Sequence, residues 1–486
     1  MKFEDAVKNE TAKTMTENGQ VALNTTHNKC LDWFASGGAL RNADTDRITR
    51  LFEDAYNEDA LLATKILFYL RDVREGMGER NTFRTILNYA GNYHPEALVK
   101  NLKLIAEFGR WDDLYSLVGT SLESRMWEIM REQLSEDIKN MCDDKPVSLL
   151  AKWLKTADAS SNTTRKQGIE TALKLGYSVY DYKRIVKALR KYIDVTEVKM
   201  SQNRWEEIDY SKVPSKAMTN YRNAFYRHDE EGINNFLNKV IKGEAKINAS
   251  TLYPYDIIEK FSYYNMNGLD DNEKKLLNAQ WDALPNYVEE GSNVMVMADT
   301  SGSMTGRPLN TAISLAIYFA QRNTGAYHKL WMSFSRNPKF HKIMGTKLEQ
   351  IIKNIDYTDW EMNTDLNKAM EKILEVAIEN HVSPEEMPKS LVIISDMEID
   401  SCSGKLFHDH IVEMYEKEGY VVPNIIFWNV NSRHDIFHAD GKRIGVQLVS
   451  GSSPSVFAHV MNIVDMTPIE AMLHIINTER YECIKI

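Results

Sequence analysis

The rhythm of hydrophobic and polar positions changes twice along the chain. From about residue 42 apolar side chains recur at spacings of three and four, as in Leu61, Leu62, Ile66, Tyr69 and Leu70, and this predicts one amphipathic helix after another. Glycines and acidic residues punctuate the run. Gly76-Met-Gly78 ends the first of these helices, Thr82 to Gly91 and Ala97 to Phe108 read as the next two, and Asp112-Asp113 can cap Leu114 to Val118. Connections this short make successive helices antiparallel neighbours and predict a stack of helix pairs, although no strict repeat period is present. A turn around Pro214 breaks the pattern, which resumes at Phe236 to Ile241 and again between Asp271 and Leu284. Beyond Asn293 the apolar residues run together instead. Val294 to Ala298, Leu391 to Ile394 and Ile425 to Trp428 are uninterrupted, as in strands buried on both faces. Helical patterns at Leu309 to Arg322, from Leu366, and at Lys405 to Lys417 separate them, and such alternation predicts a parallel, Rossmann-like doubly wound sheet. The fold class is therefore α plus α/β. Residues 1–40, rich in Asn, Thr and Gln, read as an N-terminal arm, 41–285 as an α-helical repeat domain and 291–486 as the α/β domain.

Chemistry gathers at the strand ends. The first apolar run stops at Asp299-Thr-Ser301-Gly-Ser303, a carboxylate and two hydroxyls held close by a glycine turn. Open α/β sheets bind ligands above the carboxyl ends of their strands, and this hard oxygen set suits Mg²⁺ or a similar divalent cation. The segment resembles the von Willebrand factor A (vWA) family, whose metal-ion-dependent adhesion site (MIDAS) begins Asp-x-Ser-x-Ser. The resemblance implies two further ligands, a threonine from a second loop and an aspartate from a later strand. Thr364, in Trp360-Glu-Met-Asn-Thr364-Asp365, and Asp396, closing Leu391-Val-Ile-Ile-Ser-Asp396, stand in those places. A vWA-type ion acts as an adhesive contact and takes an acidic group from a protein partner.

A second resemblance joins the two halves. Helical pairs followed by a vWA domain are the order in Ro-type (TROVE) ribonucleoproteins, and Arg71-Asp-Val-Arg-Glu-Gly-Met-Gly-Glu-Arg80 and Phe108-Gly-Arg-Trp-Asp-Asp-Leu114 look like that group's helix junctions. The chain is still more similar, over nearly its whole length, to an uncharacterised family of viruses, plants and bacteria with this layout. The helical half would then be a HEAT-like, TROVE-like repeat, and the Ro likeness implies RNA as a partner.

Charge qualifies that expectation. The whole chain is acidic, with a formal net charge of −10, yet residues 151–250 hold 19 Lys or Arg against 12 Asp or Glu. Lys183, Arg184, Lys187, Arg190 and Lys191 fall on one helix, and Arg71, Arg74, Arg80 and Arg84 form a second candidate cluster, so both are RNA-binding candidates. Solvated basic faces are common on amphipathic helices, and Asp72, Glu75 and Glu79 could pair with the second group.

No catalytic pattern competes. The Gly-x-Ser-x-Gly elbow and the phosphate-cradling Gly-Lys-Ser loop are missing, and Ser301 stands where a phosphotransferase would want a second carboxylate. His408-Asp-His410 and His434-Asp-Ile-Phe-His438 have metal-like spacing but lack a third ligand nearby, so they read as solvated polar stretches. Four separated cysteines predict a reducing compartment without structural zinc. A start without a signal peptide's apolar core, and no apolar run long enough to span a membrane, predict a cytoplasmic protein with no membrane contact. The expected function is a non-catalytic, Ro-like RNA-binding protein with a metal-dependent interaction domain. The alternative is a protein–protein adaptor holding a partner such as a MoxR-type AAA+ ATPase without RNA.

Overall fold

The computed structural model describes residues 3–249, 251–261, 268–355, 363–460 and 465–486, and in it the chain forms two compact units. The first combines Met1–Thr82 with Ala249–Cys483; the second is Phe83–Asn248 with Ile484–Ile486.

The first unit starts with the helix Phe3–Ala12, followed by a short antiparallel hairpin of β1 (Lys13–Met15) and β2 (Val21–Leu23). Its sheet contains β3 (Val294–Asp299), β4 (Leu330–Phe334), β5 (Lys339–Lys342), β6 (Ser390–Ser395), β7 (Asn424–Asn429) and β8 (Val446–Ser450). These six strands lie in the order β5-β4-β3-β6-β7-β8. All neighbouring pairs are parallel except β4 and β5. Every residue of β3 and β6 is buried, which explains their unbroken apolar runs. The chain leaves β3 toward β4 on one side and returns to β6 on the other. The crevice above the carboxyl ends of β3 and β6 is therefore the switch point of the sheet, where open α/β folds bind ligands.

Contacts group the chain differently from the expected domain bounds. Residues 1–40 are no free arm, and the helices up to Thr82 belong with the sheet, so the contact boundaries do not fall at residues 41 and 285–291. The helix Lys29–Gly37 buries Cys30, Leu31, Trp33, Phe34 and Ala35 and packs on β8, with the helices Thr45–Glu58 and Ala60–Arg71 around it. The polar composition misled because its polar groups are buried and paired. Thr16 Oγ1 donates to Ile399 O, Gln20 Nε2 to Lys405 O, and Asp32 accepts from Thr25 Oγ1 and from the amide and hydroxyl of Thr26. Hydrogen-bonded polar side chains of this kind enter a core without the penalty that unpaired ones carry.

The second unit is helical throughout, with Glu123–Cys142, Asn162–Lys174, Val179–Tyr192, Ser215–His228 and Glu230–Ile241 as its longer members. The expected helix from Ala97 to Phe108 is two short ones, Pro95–Val99 and Leu104–Phe108. Between them Asn101 is buried, its amide donating to Ala97 O and Lys485 O, and local competition of an Asn side chain for backbone groups ends the first helix. Among the described residues no helix is long and apolar enough to cross a membrane, and all four cysteines are free thiols.

Candidate metal centre

The carboxyl ends of β3 and β6 are stitched together by their own side chains. Asp299, fully buried at the end of β3, accepts Ser395 Oγ from the end of β6 at 2.6 Å on Oδ2 and the Ser301 amide at 2.9 Å on Oδ1. The Ser301 and Ser303 hydroxyls lie 3.1 Å apart. Asp396 follows β6 directly, accepts the Glu398 amide on Oδ1 and has Arg433 Nη2 at 3.2 Å from Oδ2. The next residue, Met397, is held at φ +69, a left-handed conformation that a methionine adopts only where its surroundings enforce it. Burial, and then the Asp396 carboxylate, push the pKa of Asp299 well above the ordinary carboxylate range.

Thr364 is pinned to the segment after β6. Its amide donates to Asp400 Oδ2 at 3.1 Å and its carbonyl accepts the Asp400 amide at 3.0 Å, yet its buried hydroxyl has no hydrogen-bond partner. Trp360, Glu361 and Met362, which precede it, lie outside the described residues. Two neighbouring buried carboxylates, two adjacent hydroxyls and a buried hydroxyl lacking a partner are a donor set that fits a hard divalent cation. Ser395, Arg433 and Glu17 were missed by sequence reading. Ser395 could have been found beside Asp396 at the strand end, whereas Arg433 and Glu17 carry no local signal.

The histidine pairs do something else. Among the described residues no group of three His, Cys, Asp or Glu could hold a metal. His410 contacts Asn367 and His434 contacts Glu398, but His408 and His438 are buried, against the expectation of solvated stretches. His408 Nδ1 accepts from Arg443 Nε, and His438 Nε2 donates to Met397 O while its buried Nδ1 has no partner. Burial, together with Arg443 at His408, pushes both imidazoles down to about 4. Because the unfolded chain takes up these protons near pH 6.5 and the folded chain does not, the stability these two histidines contribute is full above that pH and is lost as pH falls toward 4. Each histidine should cost about 2 kcal/mol at about pH 5, read as the difference between wild type and a His438→Gln variant in how far the urea midpoint changes from about pH 7.5 to about pH 5.

The basic candidates divide. In the first unit Arg71 is buried, while Arg74 and Arg80 are exposed. In the second unit Arg84 is held by Asp112 and Asp113 at 2.7 and 2.6 Å, and Arg190 spends its guanidinium on Ala151 O, Leu154 O and Thr156 Oγ1. Arg71, Arg84 and Arg190 are thus built into the structure and unsuited to a free contact surface. Lys183, Arg184, Lys187 and Lys191 remain exposed along the helix Val179–Tyr192, where spacings of three and four keep them on one side. Arg184 lies 5.5 Å over the exposed Tyr180 ring. Sequence reading also missed Arg110 at 4.7 Å over Trp153 and Lys155 at 5.0 Å over Tyr115 in the same unit.

A crystal structure of the Deinococcus radiodurans RO (RSR) protein matches 86% of this chain and 92% of its own at 14% identity, with a TM-score of 0.31. An uncharacterised protein of Acanthamoeba polyphaga mimivirus is 27% identical over 95% of this chain and 87% of its own length. A domain of unknown function, DUF7788, matches residues 293–480. Because the model of another domain of unknown function, DUF2828, matches residues 16–146 and 144–293, more than half of the sequence, the chain belongs to the DUF2828 family.

Proposed function

We propose that the protein is a non-catalytic binding protein in which a vWA-like, MIDAS-type site holds a divalent cation and the helical unit offers a basic face to RNA. One observation carries the metal reading. The buried carboxylates of Asp299 and Asp396 lie close enough to repel one another, and Thr364, tied to Asp400 in the segment after β6, has a buried hydroxyl without a partner. Asp299, Ser301, Ser303, Thr364 and Asp396 would hold the ion, and Mg²⁺ is the natural occupant of such oxygen donors. When bound, the ion supplies a positive contact that a carboxylate or phosphate from a partner can complete. The residues themselves fix the geometry: Ser395 and the Ser301 amide orient Asp299, the Glu398 amide orients Asp396, and Asp400 anchors the Thr364 backbone.

The RNA reading rests on the four exposed cations of the helix Val179–Tyr192 and on the Arg184–Tyr180 pair, since a cation beside an exposed ring suits phosphate and base together. Alanine at Lys183, Arg184, Lys187 and Lys191 together should weaken binding of a labelled oligouridine by on the order of 100-fold and lower the salt slope by about 3. Far-UV circular dichroism should not change, because none of the four is buried. Undiminished RNA affinity in that variant would refute this surface. A wild-type protein that binds no RNA and purifies with a stoichiometric protein would favour the adaptor.

A further inference from the structure

We infer that Arg433 is an internal counter-cation that weakens divalent-ion binding at this site, an inference that rests on the metal reading above. The Arg433 guanidinium is divided between two carboxylates. Nη1 meets Glu17 at 2.6 Å, and Nη2 meets the fully buried Asp396 at 3.2 Å. The first distance is that of a strong charge-assisted hydrogen bond; the second is longer than such bonds usually are. Arg433 Nε is buried with no hydrogen-bond partner, so this is not the fully satisfied fork of a structural ion pair.

Arg433 is therefore hydrogen-bonded most closely to Glu17, while the buried Asp396 carboxylate is the strongest charge that attracts it. Glu17 sits in the turn between β1 and β2, where its amide donates to Glu398 Oε2 at 2.7 Å, while Asn18 Nδ2 donates to Glu398 O at 2.7 Å. The N-terminal hairpin is thus fastened to the segment that follows Asp396. A divalent ion ligated at Asp396 or held there through water meets a like charge on Arg433, which must swing toward Glu17 and His434. That repulsion reduces metal affinity, and the Glu17 carboxylate, by sharing the guanidinium, limits the reduction.

The test is Mn²⁺ titration by calorimetry on the full chain, comparing wild type with R433Q, E17Q and D299A. The expected results are about tenfold tighter binding in R433Q and about threefold weaker binding in E17Q, with none in D299A. Uptake by R433Q alone, with none by wild type, would be the same effect in a stronger form. Uptake by wild type that R433Q leaves unchanged or weakens overturns the role of Arg433 alone, whereas no uptake by either overturns the metal reading. If R433Q fails to fold, E17Q decides, because Glu17 is 44% exposed and its loss leaves the core intact: unchanged affinity there overturns the inference.

Discussion

Replacing Asp299 by alanine should abolish saturable Mg²⁺ or Mn²⁺ binding, an affinity loss of at least about 100-fold, while leaving the metal-free protein folded. The two halves of that expectation have different causes. Asp299 reaches the site as a buried carboxylate already oriented by Ser395 and the Ser301 amide, and the other buried carboxylate, Asp396, is shared with Arg433, so no neighbour can replace it. Without metal, however, its charge is a burden, since it is buried next to Asp396. Alanine relieves that repulsion but strands the Ser395 hydroxyl and the Ser301 amide. Each stranded group costs about 1–3 kcal/mol, which is comparable to the relief. The melting temperature of the metal-free variant should accordingly stay within a few degrees of wild type. What disappears is the rise on adding metal, which for wild type at a hundred times the dissociation constant amounts to about 2.7 kcal/mol. A D299A protein still stabilised by Mg²⁺ to the wild-type extent would contradict the assigned ligands.

The largest effect on stability is expected at Asp72. This carboxylate is wholly buried and accepts Arg480 through both Nε and Nη2, the latter at 2.7 Å, as well as Tyr481 Oη at 3.0 Å. It is the clasp between the helix Ala60–Arg71 and the C-terminal turn Glu479–Tyr481 of the first unit. Its charge, by hydrogen bond and attraction, raises the pKa of Arg480 above the ordinary guanidinium range. Asp72→Ala leaves an arginine and a tyrosine hydroxyl without their acceptor and should cost about 3–5 kcal/mol, measured as a lower urea midpoint. The melting temperature should fall by roughly 10 °C. Adding R480M removes the stranded charge and should recover part of the loss. Equal destabilisation by D72A and D72A/R480M would show that the ion pair is not the source.

Much of this was legible in the sequence for a simple reason. Periodicity follows burial, and β3, β6 and β7 are buried almost throughout, so their apolar runs marked the strands that matter. The helices Arg307–Arg322, Leu366–Glu379 and Phe407–Lys417 showed themselves by one apolar side each. Asp299, Ser301, Ser303 and Asp396 could be named because a strand end is a local feature and the sheet order brings two such ends together.

Long-range pairing could not be read in this way. Asp72 and Arg480 are separated by 408 positions and Thr16 and Ile399 by 383, and nothing in either segment's composition announces the other. The polar stretch before residue 40 looked like solvent-facing chain because burial of a polar group depends on partners that only the tertiary structure supplies. Arg71, Arg84 and Arg190 looked like RNA ligands for the same reason: a guanidinium that is buried or committed to internal acceptors and one open to phosphate have the same letter. The sequence by itself determined most of the secondary elements, the α/β sheet and which polar residues stand at its switch point, all of which depend on neighbours in the chain. The tertiary structure alone decided which charges are spent internally, that the first 82 residues join the sheet, and that Arg433 faces Asp396, because each depends on segments that meet only once the chain has folded.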